Sequence, residues 1–314
     1  MRFMRAFTAA LAVGLCAMPA LADDYPSRPI RVVIPQGAGG GADIVVRILG
    51  TEIQRRIGQP FVVENRPGGN ESIGPDAVSK APPDGYTIGI ISSTHSVNQT
   101  SAGIKLSFDP QKDFAPIAPM VRVPMIVMVP TDLGVHDLPS LIALSKANPG
   151  KFNYGSAGPN TFAGIATEWL VRKSGGDFTA VTYGGRGILQ GLVAGDIQLL
   201  LGGLAAASPT LQTGKAKIIA VTSAQRAAKL PDVPTVAESY AGFAVVPWYG
   251  FVAPAGTPPA IVERLNSAIG ASITAVTPKL LELGFEPLRM SPSEFQSFLG
   301  ADLASWKQIV EAVK

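Results

Sequence analysis

Ile30-Arg-Val-Val-Ile-Pro-Gln-Gly-Ala-Gly-Gly-Gly-Ala-Asp43 decides how the rest of the chain is read. The apolar, β-branched opening favours a strand. A glycine-rich loop follows and passes directly into a helical pattern led by an acidic residue. Ile44, Val45, Ile48, Leu49, Ile53 and Ile57 recur at helical spacing, and Gly58 supplies the stop. A strand–glycine loop–helix unit leaves backbone N–H groups without intrahelical partners, and the helix dipole adds a preference for negative charge there. The stretch therefore predicts an anion cradle. Two anions suit it: the pyrophosphate of a dinucleotide or the carboxylate of a small solute.

Outward from this unit the same alternation continues. Phe61–Val63 reads as a strand and Asn65-Arg-Pro-Gly-Gly-Asn70 as a loop. Pro82-Pro-Asp-Gly85 turns into a strand at Tyr86–Ile91, which ends in the polar run Ser92–Ser96. Met125–Val129 opens a second unit, with a helix over Ser140–Ala147. Lys151–Asn160 then repeats the strand-to-glycine-loop design, and a helix with Phe162, Ile165, Ala166, Trp169 and Leu170 on one face ends before Gly175. Strands are expected at Phe178–Tyr183, Ile197–Leu201 and Lys217–Thr222. Ala216–Gly250 is rich in proline and turn residues, as a crossing between lobes would be. Ser291-Pro-Ser-Glu294 is a capping box opening the last helix, whose face of Phe295, Phe298, Leu299, Leu303, Trp306, Ile309 and Val313 should pack on the body. Apolar segments alternating with helical ones argue for a parallel-sheet α/β fold. Ligands of such sheets sit beyond the carboxyl ends of strands, so two glycine loops imply a cleft between two lobes that can close by a hinge.

The amino terminus narrows the compartment. Arg2 and Arg5 precede an apolar stretch from Ala6 to Leu21, and Ala20-Leu-Ala22 has the form of a signal-peptidase site. Residues 1–22 read as a cleavable export signal, cut after Ala22, because the apolar core is too short for a membrane span. Cys16 is the one cysteine and would leave with the signal, which removes disulfide and thiolate chemistry. Without Arg2 and Arg5, 24 basic residues face 23 acidic ones, a balance that gives no reason to expect nucleic acid.

Several blocks carry a family resemblance. Tyr25-Pro-Ser-Arg-Pro-Ile-Arg31, Gly39-Gly-Gly-Ala-Asp43, Gly58-Gln-Pro60 and Val62-Val-Glu-Asn-Arg-Pro-Gly68 are similar to the start of the Bug-type substrate-binding proteins of tripartite tricarboxylate transporters. Ala81–Tyr86, Asp109–Phe114, Asn153–Gly158, Ala220–Ser223, Leu230–Thr235 and Ala253–Pro258 continue the pattern in order. The resemblance implies a two-lobed, periplasmic-binding-protein-like α/β fold with a ligand cleft between lobes. Lobe 1 would comprise 23–124 plus 249–314, and lobe 2 would comprise 125–248 with the crossover segment. It implies a monomeric periplasmic protein, without enzymatic activity, cofactor or metal. Such a protein captures a small organic carboxylate (a di- or tricarboxylate or an aromatic acid) and passes it to a membrane permease.

In the family, backbone N–H groups and waters hold the carboxylate. The matching positions are Gln36, Gly37, Ala38, Gly39, Gly40 and Gly41 in the first loop, and Ser156, Ala157, Gly158 and Thr161 in the second. Asp43 matches an acidic residue expected to cap or orient the helix start. Ser92, Thr94 and His95 are secondary candidates at a strand end, and Tyr183 and Arg186 follow another strand. Arg186 either forks onto a second ligand carboxylate or points to water. The chain departs from the family where Gln198 replaces an acidic residue and where Gly202-Gly203 replaces an Asp-Asn pair. That loss argues against an amino-acid ligand and for a bulkier or purely anionic one. Trp248 and Tyr249 lie at the expected lobe crossing, where they could floor the pocket, with core packing the favoured role for Trp248.

Three rivals remain. Gly37-Ala-Gly39-Gly-Gly-Ala42, with Glu64 ending the next strand, fits a dinucleotide-binding oxidoreductase. The export signal and Pro35-Gln36 speak against it. A hydrolase lacks support, since neither a Gly-x-Ser-x-Gly elbow nor a His-Glu-x-x-His motif occurs. A solute sensor for a signalling partner would use the same pocket.

Overall fold

The computed structural model describes residues 25–101, 104–183 and 187–314. The export signal with its cut after Ala22, Cys16 and Arg186 lie outside the described residues.

Two sheets organise the chain. β1 (Ile30–Ile34), α1 (Gly41–Ile57), β2 (Phe61–Asn65), α2 (Ile73–Ser79), β3 (Thr87–Ser92) and α3 (Ser93–Thr100) come first, followed by β4 (Phe114–Arg122). The second sheet is built by β5 (Met125–Pro130), α4 (Leu138–Ala147), β6 (Asn153–Ser156), α5 (Phe162–Ser174), β7 (Thr179–Thr182), α6 (Ile188–Ala194), β8 (Leu199–Gly203), α7 (Leu204–Gln212) and β9 (Ala216–Val221). After α8 (Val236–Ser239), the chain returns to the first sheet as β10 (Trp248–Pro254), α9 (Pro259–Glu282), β11 (Glu286–Pro287) and α10 (Pro292–Ala312).

The first sheet runs β11-β4-β10-β3-β1-β2 and the second β7-β6-β8-β5-β9. Each has a parallel heart. β1 pairs with β2 (Val32 beside Val63) and with β3 (Val32 beside Ile88), while β6 pairs with β7 and β8. β10 is antiparallel to β3 and β4, and β5 is antiparallel to β8 and β9. The sheets are thus mixed rather than purely parallel, because β5 and β10, the strands entered from the crossings, run against both of their neighbours.

Both faces of the first sheet are covered, so β1 is apolar throughout rather than alternating. Ile30, Val32 and Ile34 pack with Val45, Leu49, Leu265 and Ile269, while Val33 joins Val78, Trp248 and Phe295 on the opposite face. α10 belongs to both sheets. Phe295 packs in the first-sheet cluster, whereas Trp306, Ile309 and Val310 pack with Phe162, Leu170 and Leu199 of the second.

Two segments cross between sheets and are bonded to each other. Val123 N–H donates to Pro247 O at 2.7 Å, Thr222 N–H to Met125 O at 2.9 Å, and Met125 N–H to Thr222 Oγ1 at 3.2 Å. The turn-rich stretch before Gly250 makes one of these crossings, as expected.

Ser92–Ser96 differs from its sequence reading. It does not prolong a strand end, because Ser92 closes β3 and its Oγ accepts Thr94 N–H at 3.1 Å, starting α3. A side-chain oxygen at that position satisfies a helix donor that would otherwise be orphaned.

Candidate functional site

The glycine loop after β1 is held from three directions. Asp43, buried in the first turn of α1, accepts Gly39 N–H at 3.0 Å and Arg47 Nε at 2.9 Å on one oxygen, and Asn65 Nδ2 at 3.1 Å on the other. Burial works against its charge. The bonds from Arg47, Gly39 and Asn65 outweigh burial and hold the carboxyl below its ordinary range. The expected capping role is refined, since Gly40 has the extended N-cap backbone and Asp43 braces the loop from the third helical position.

Gln36 is a second brace. Its Oε1 accepts Ala42 N–H at 3.1 Å and its carbonyl accepts Asn65 Nδ2 at 2.9 Å. Gly40 N–H donates to Gly37 O at 3.0 Å. The N–H groups of Gly39, Gly40 and Ala42 therefore already have partners. Those of Gly37, Ala38 and Gly41 have none among the described residues. The loop keeps fewer unpaired donors than the glycine count suggests. Gly41 itself is required by packing, because a Cβ there would lie 2.6 Å from the Tyr249 hydroxyl.

The second loop follows β6. Ser156 is buried, and its Oγ accepts Gly158 N–H at 3.2 Å. Thr161 caps α5: its Oγ1 accepts Gly164 N–H at 3.1 Å and donates to Gly158 O at 2.7 Å. Ala157 is exposed at the tip. Gly202 and Gly203 end β8, which runs parallel to β6, so they stand at the same carboxyl edge as Ser156. Tyr183 N–H donates to Ser156 O at 3.0 Å, but its hydroxyl packs over Gly191 of α6. Gln198 is structural, bonded to Asn153 N–H at 2.8 Å and to Gly195 O at 2.6 Å.

The second loop is met across the cleft by the loop after β2, whose composition alone marks nothing beyond a turn. Asn70 Nδ2 donates to Asn160 O at 2.7 Å and to Asn98 Oδ1 at 2.6 Å, and Asn98 Nδ2 returns a bond to Asn70 O at 2.9 Å. Beside it, Glu71 accepts Gln36 Nε2 at 2.9 Å and Ser92 Oγ at 2.6 Å. Burial pushes the Glu71 carboxyl above its ordinary range, against the bonds from Ser92 and Gln36. Burial and then the Glu71 charge push the Tyr249 phenol up as well. Neither Asn70 nor Glu71 belongs to a periodic pattern. The only signal for them is polar residues closing a glycine-rich loop.

His95 is corrected. It is buried on α3, with its ring stacked on Phe108 and edge-on to Phe114, and its Nε2–H donates to Pro110 O at 2.9 Å. Burial lowers its pKa to about 4, so it is a neutral packing residue turned away from the cleft loops. Thr94 is buried too and contributes its N–H to the Ser92 cap. Trp248 is in the core as expected, edge-on to Phe295 and Phe298.

A dinucleotide would find this site poorly prepared. Two of the donors that a pyrophosphate would draw on, the N–H groups of Gly39 and Ala42, are occupied by Asp43 and Gln36. Glu64 pairs with Arg31 at 3.4 Å and with Arg66 at 2.5 Å. Among the described residues, no group of three or more His, Cys, Asp or Glu is arranged to hold a metal ion.

Two mixed α/β sheets joined by paired crossings, with loops facing each other at strand carboxyl ends, define a two-lobed solute-binding protein of the periplasmic type. The chain belongs to the family described as "Tripartite tricarboxylate transporter family receptor", whose pattern matches residues 45–314. It is 33% identical over 293 residues to the "UPF0065 protein in tcbD-tcbE intergenic region" of Pseudomonas sp. (strain P51), covering 92% of this chain and 87% of the relative. It is 31% identical to "Protein BugT" of Bordetella pertussis, covering 96% and 94%. Among solved structures, an R. palustris protein with adipate superposes with a TM-score of 0.87 at 32% identity, covering 92% and 98%. MatC from Rhodopseudomonas palustris with bound malate superposes with a TM-score of 0.81 at 29% identity, covering 91% and 100%.

Proposed function

We propose that this protein captures a small carboxylate-bearing solute between its lobes and delivers it to a tripartite tricarboxylate-type membrane transporter. The observation that carries the reading is that the loop after β2, which braces Gln36 through Glu71, reaches the Ser156–Thr161 loop through the bond from Asn70 to Asn160 O. N–H groups of Gly37, Ala38 and Gly41 on one wall, and of Ala157 and Asn160 on the other, supply a generic carboxylate site. Adipate and malate in the two solved relatives support the ligand class.

Residues 23–124 with 249–314 form one lobe of this proposal and 125–248 the other, hinged at the paired crossings. The protein acts in the periplasm as a monomer after removal of residues 1–22, by binding rather than catalysis. Thermal-shift screening of the mature chain against di- and tricarboxylates, aromatic acids and amino acids tests the reading. Stabilisation that grows with the concentration of a carboxylate is the expected result. Saturable binding of NAD with no response to any carboxylate would overturn it.

A further inference from the structure

Glu71 occupies a place where a side chain is costly. Asn70 and Glu71 have φ of +53° and +62°, in the left-handed region where residues other than glycine are uncommon. Gly68 and Gly69 just before them have positive φ as well, which suits glycine. Asparagine tolerates this backbone because of its short amide, whereas glutamate has no such excuse. Strained residues of this kind persist where the surroundings over-determine them and cluster at ligand clamps.

The strain delivers a carboxylate to a defined position. Gln36 Nε2 and Ser92 Oγ each donate to a different Glu71 oxygen, at 2.9 and 2.6 Å. Both donors are themselves oriented: Gln36 Oε1 is fixed by Ala42 N–H, and Ser92 Oγ by Thr94 N–H. One donor comes from the first glycine loop and the other from the carboxyl end of β3, so Glu71 lies between the elements that line the first wall. Asn70, next to it, touches the second wall.

Nothing positive among the described residues answers this carboxylate. Among the described residues, no lysine, arginine or histidine pairs with Glu71, and burial opposes its charge. A partly desolvated acid without a cation is unfavourable unless another group arrives to pair with it. In a cleft built for capture, that group is part of the ligand.

We propose that Glu71 is a specificity-determining residue that receives a cationic amino group of the solute, so that the ligand is an amino-carboxylate zwitterion rather than a dianion. This rests on the carboxylate-capture reading. The ligand carboxylate takes the free backbone N–H groups of the cradle, and its ammonium group makes a charge-assisted bond to the Glu71 oxygens. The loss of the Asp-Asn pair at Gly202-Gly203 is then a transfer of the acidic partner from the second wall to the first.

Matched ligands test this. γ-Aminobutyrate, δ-aminovalerate and ε-aminocaproate have the carbon number of succinate, glutarate and adipate, with a CH2–NH3+ group in place of one carboxylate. Calorimetric titration near neutral pH should find at least one amino acid of the series bound about tenfold or more tightly than its dicarboxylate partner. Glu71→Gln should abolish that preference, and Glu71→Gly, which suits the backbone and safeguards folding, should do the same. Dicarboxylates binding the unaltered protein as tightly as their amino partners would overturn the inference while leaving carboxylate capture intact. So would an amino-acid preference that survives both substitutions. If no carboxylate of either series or of the wider screen binds any form, the capture reading itself fails.

Discussion

The side-chain amide of Asn70 donates to the backbone carbonyl of Asn160 at 2.7 Å, joining two loops that belong to different sheets. The same nitrogen also donates to Asn98 Oδ1 at 2.6 Å, so the amide is held from behind while it reaches across. Its backbone, with φ of +53°, aims the side chain at the opposite wall. Asn70→Gly keeps that backbone and removes the latch together with its bond to Asn98. The expected result is a several-fold loss of ligand affinity, the range of one net hydrogen bond at about 0.5–1.5 kcal/mol. Faster dissociation should account for it, measured by stopped-flow fluorescence. An unchanged dissociation rate would show that the contact does no holding.

Asp43 is the keystone of the first loop. Asp43→Ala removes the acceptor for Gly39 N–H, Asn65 Nδ2 and Arg47 Nε in a buried place. Gly39 and Arg47 are exposed and can turn to water once the carboxylate is gone, so a loss of about 1–1.5 kcal/mol in urea denaturation is expected. The carboxyl pKa lies below its ordinary range in the folded protein. Its contribution is therefore present above the unfolded value and fades as pH falls through the folded one. A variant as stable as the parent would remove Asp43 from this role.

Gly41 is tested by adding one methyl group. In Gly41→Ala the new Cβ would meet the Tyr249 hydroxyl at 2.6 Å, with ring carbons at 3.2 and 3.3 Å. Tyr249 is buried and cannot swing away freely. Overpacking of this kind costs about 1–3 kcal/mol. A lowered melting temperature and at least tenfold weaker binding, about 1.4 kcal/mol, are the expected outcomes. Full affinity in this variant would place the ligand away from the start of α1.

Asp302 and His95 make acid stability a balance. Asp302 on α10 faces Ser96, Trp248 and Trp306, and burial raises its pKa to about 6, with those neighbours only partly offsetting the rise. Its Oδ2 and the Trp248 Nε1 are both buried without a hydrogen-bond partner among the described residues. A raised carboxyl pKa means the folded state binds the proton more readily, so this group costs stability above about pH 6 and the cost is relieved toward its ordinary value of 3.8. His95 has the opposite sign: its pKa falls from 6.5 to about 4 on folding, so stability is lost as pH drops through that window. The two should nearly cancel in the unaltered protein. Asp302→Asn should gain about 2–3 kcal/mol at neutral pH and expose the loss due to His95 on acidification. Thermal melts across this range check it, and parallel profiles for the two proteins would refute it.

Much of the architecture was readable from periodicity. α1 ends at Gly58, α5 at Gly175, and the capping box at Ser291–Glu294 opens α10. The first half was harder near Ser92–Ser96, because α3 has no apolar stripe and depends on a cap and on burial beneath neighbouring elements. α9 was missed, although Ile261, Leu265, Ile269 and Ile273 line its buried face. Both glycine loops were found where strands end, since glycine runs after apolar runs are a local signal. Which N–H groups stay free was not readable, because Asp43, Gln36 and Asn65 must first be folded against the loop.

By itself, the sequence determined the alternation of strands and helices, the two glycine loops and the apolar character of strands covered on both faces. These are short-range properties, set by side-chain branching, glycine freedom and spacing. The tertiary structure alone decided that His95 turns into an aromatic cluster, that Asn70 spans the cleft to Asn160, and that Glu71 is held by Gln36 and Ser92. Those partners lie 90, 35 and 21 positions apart in the Asn70–Asn160, Gln36–Glu71 and Ser92–Glu71 pairs. No local pattern encodes such contacts, because they exist only once two sheets and their loops have packed together.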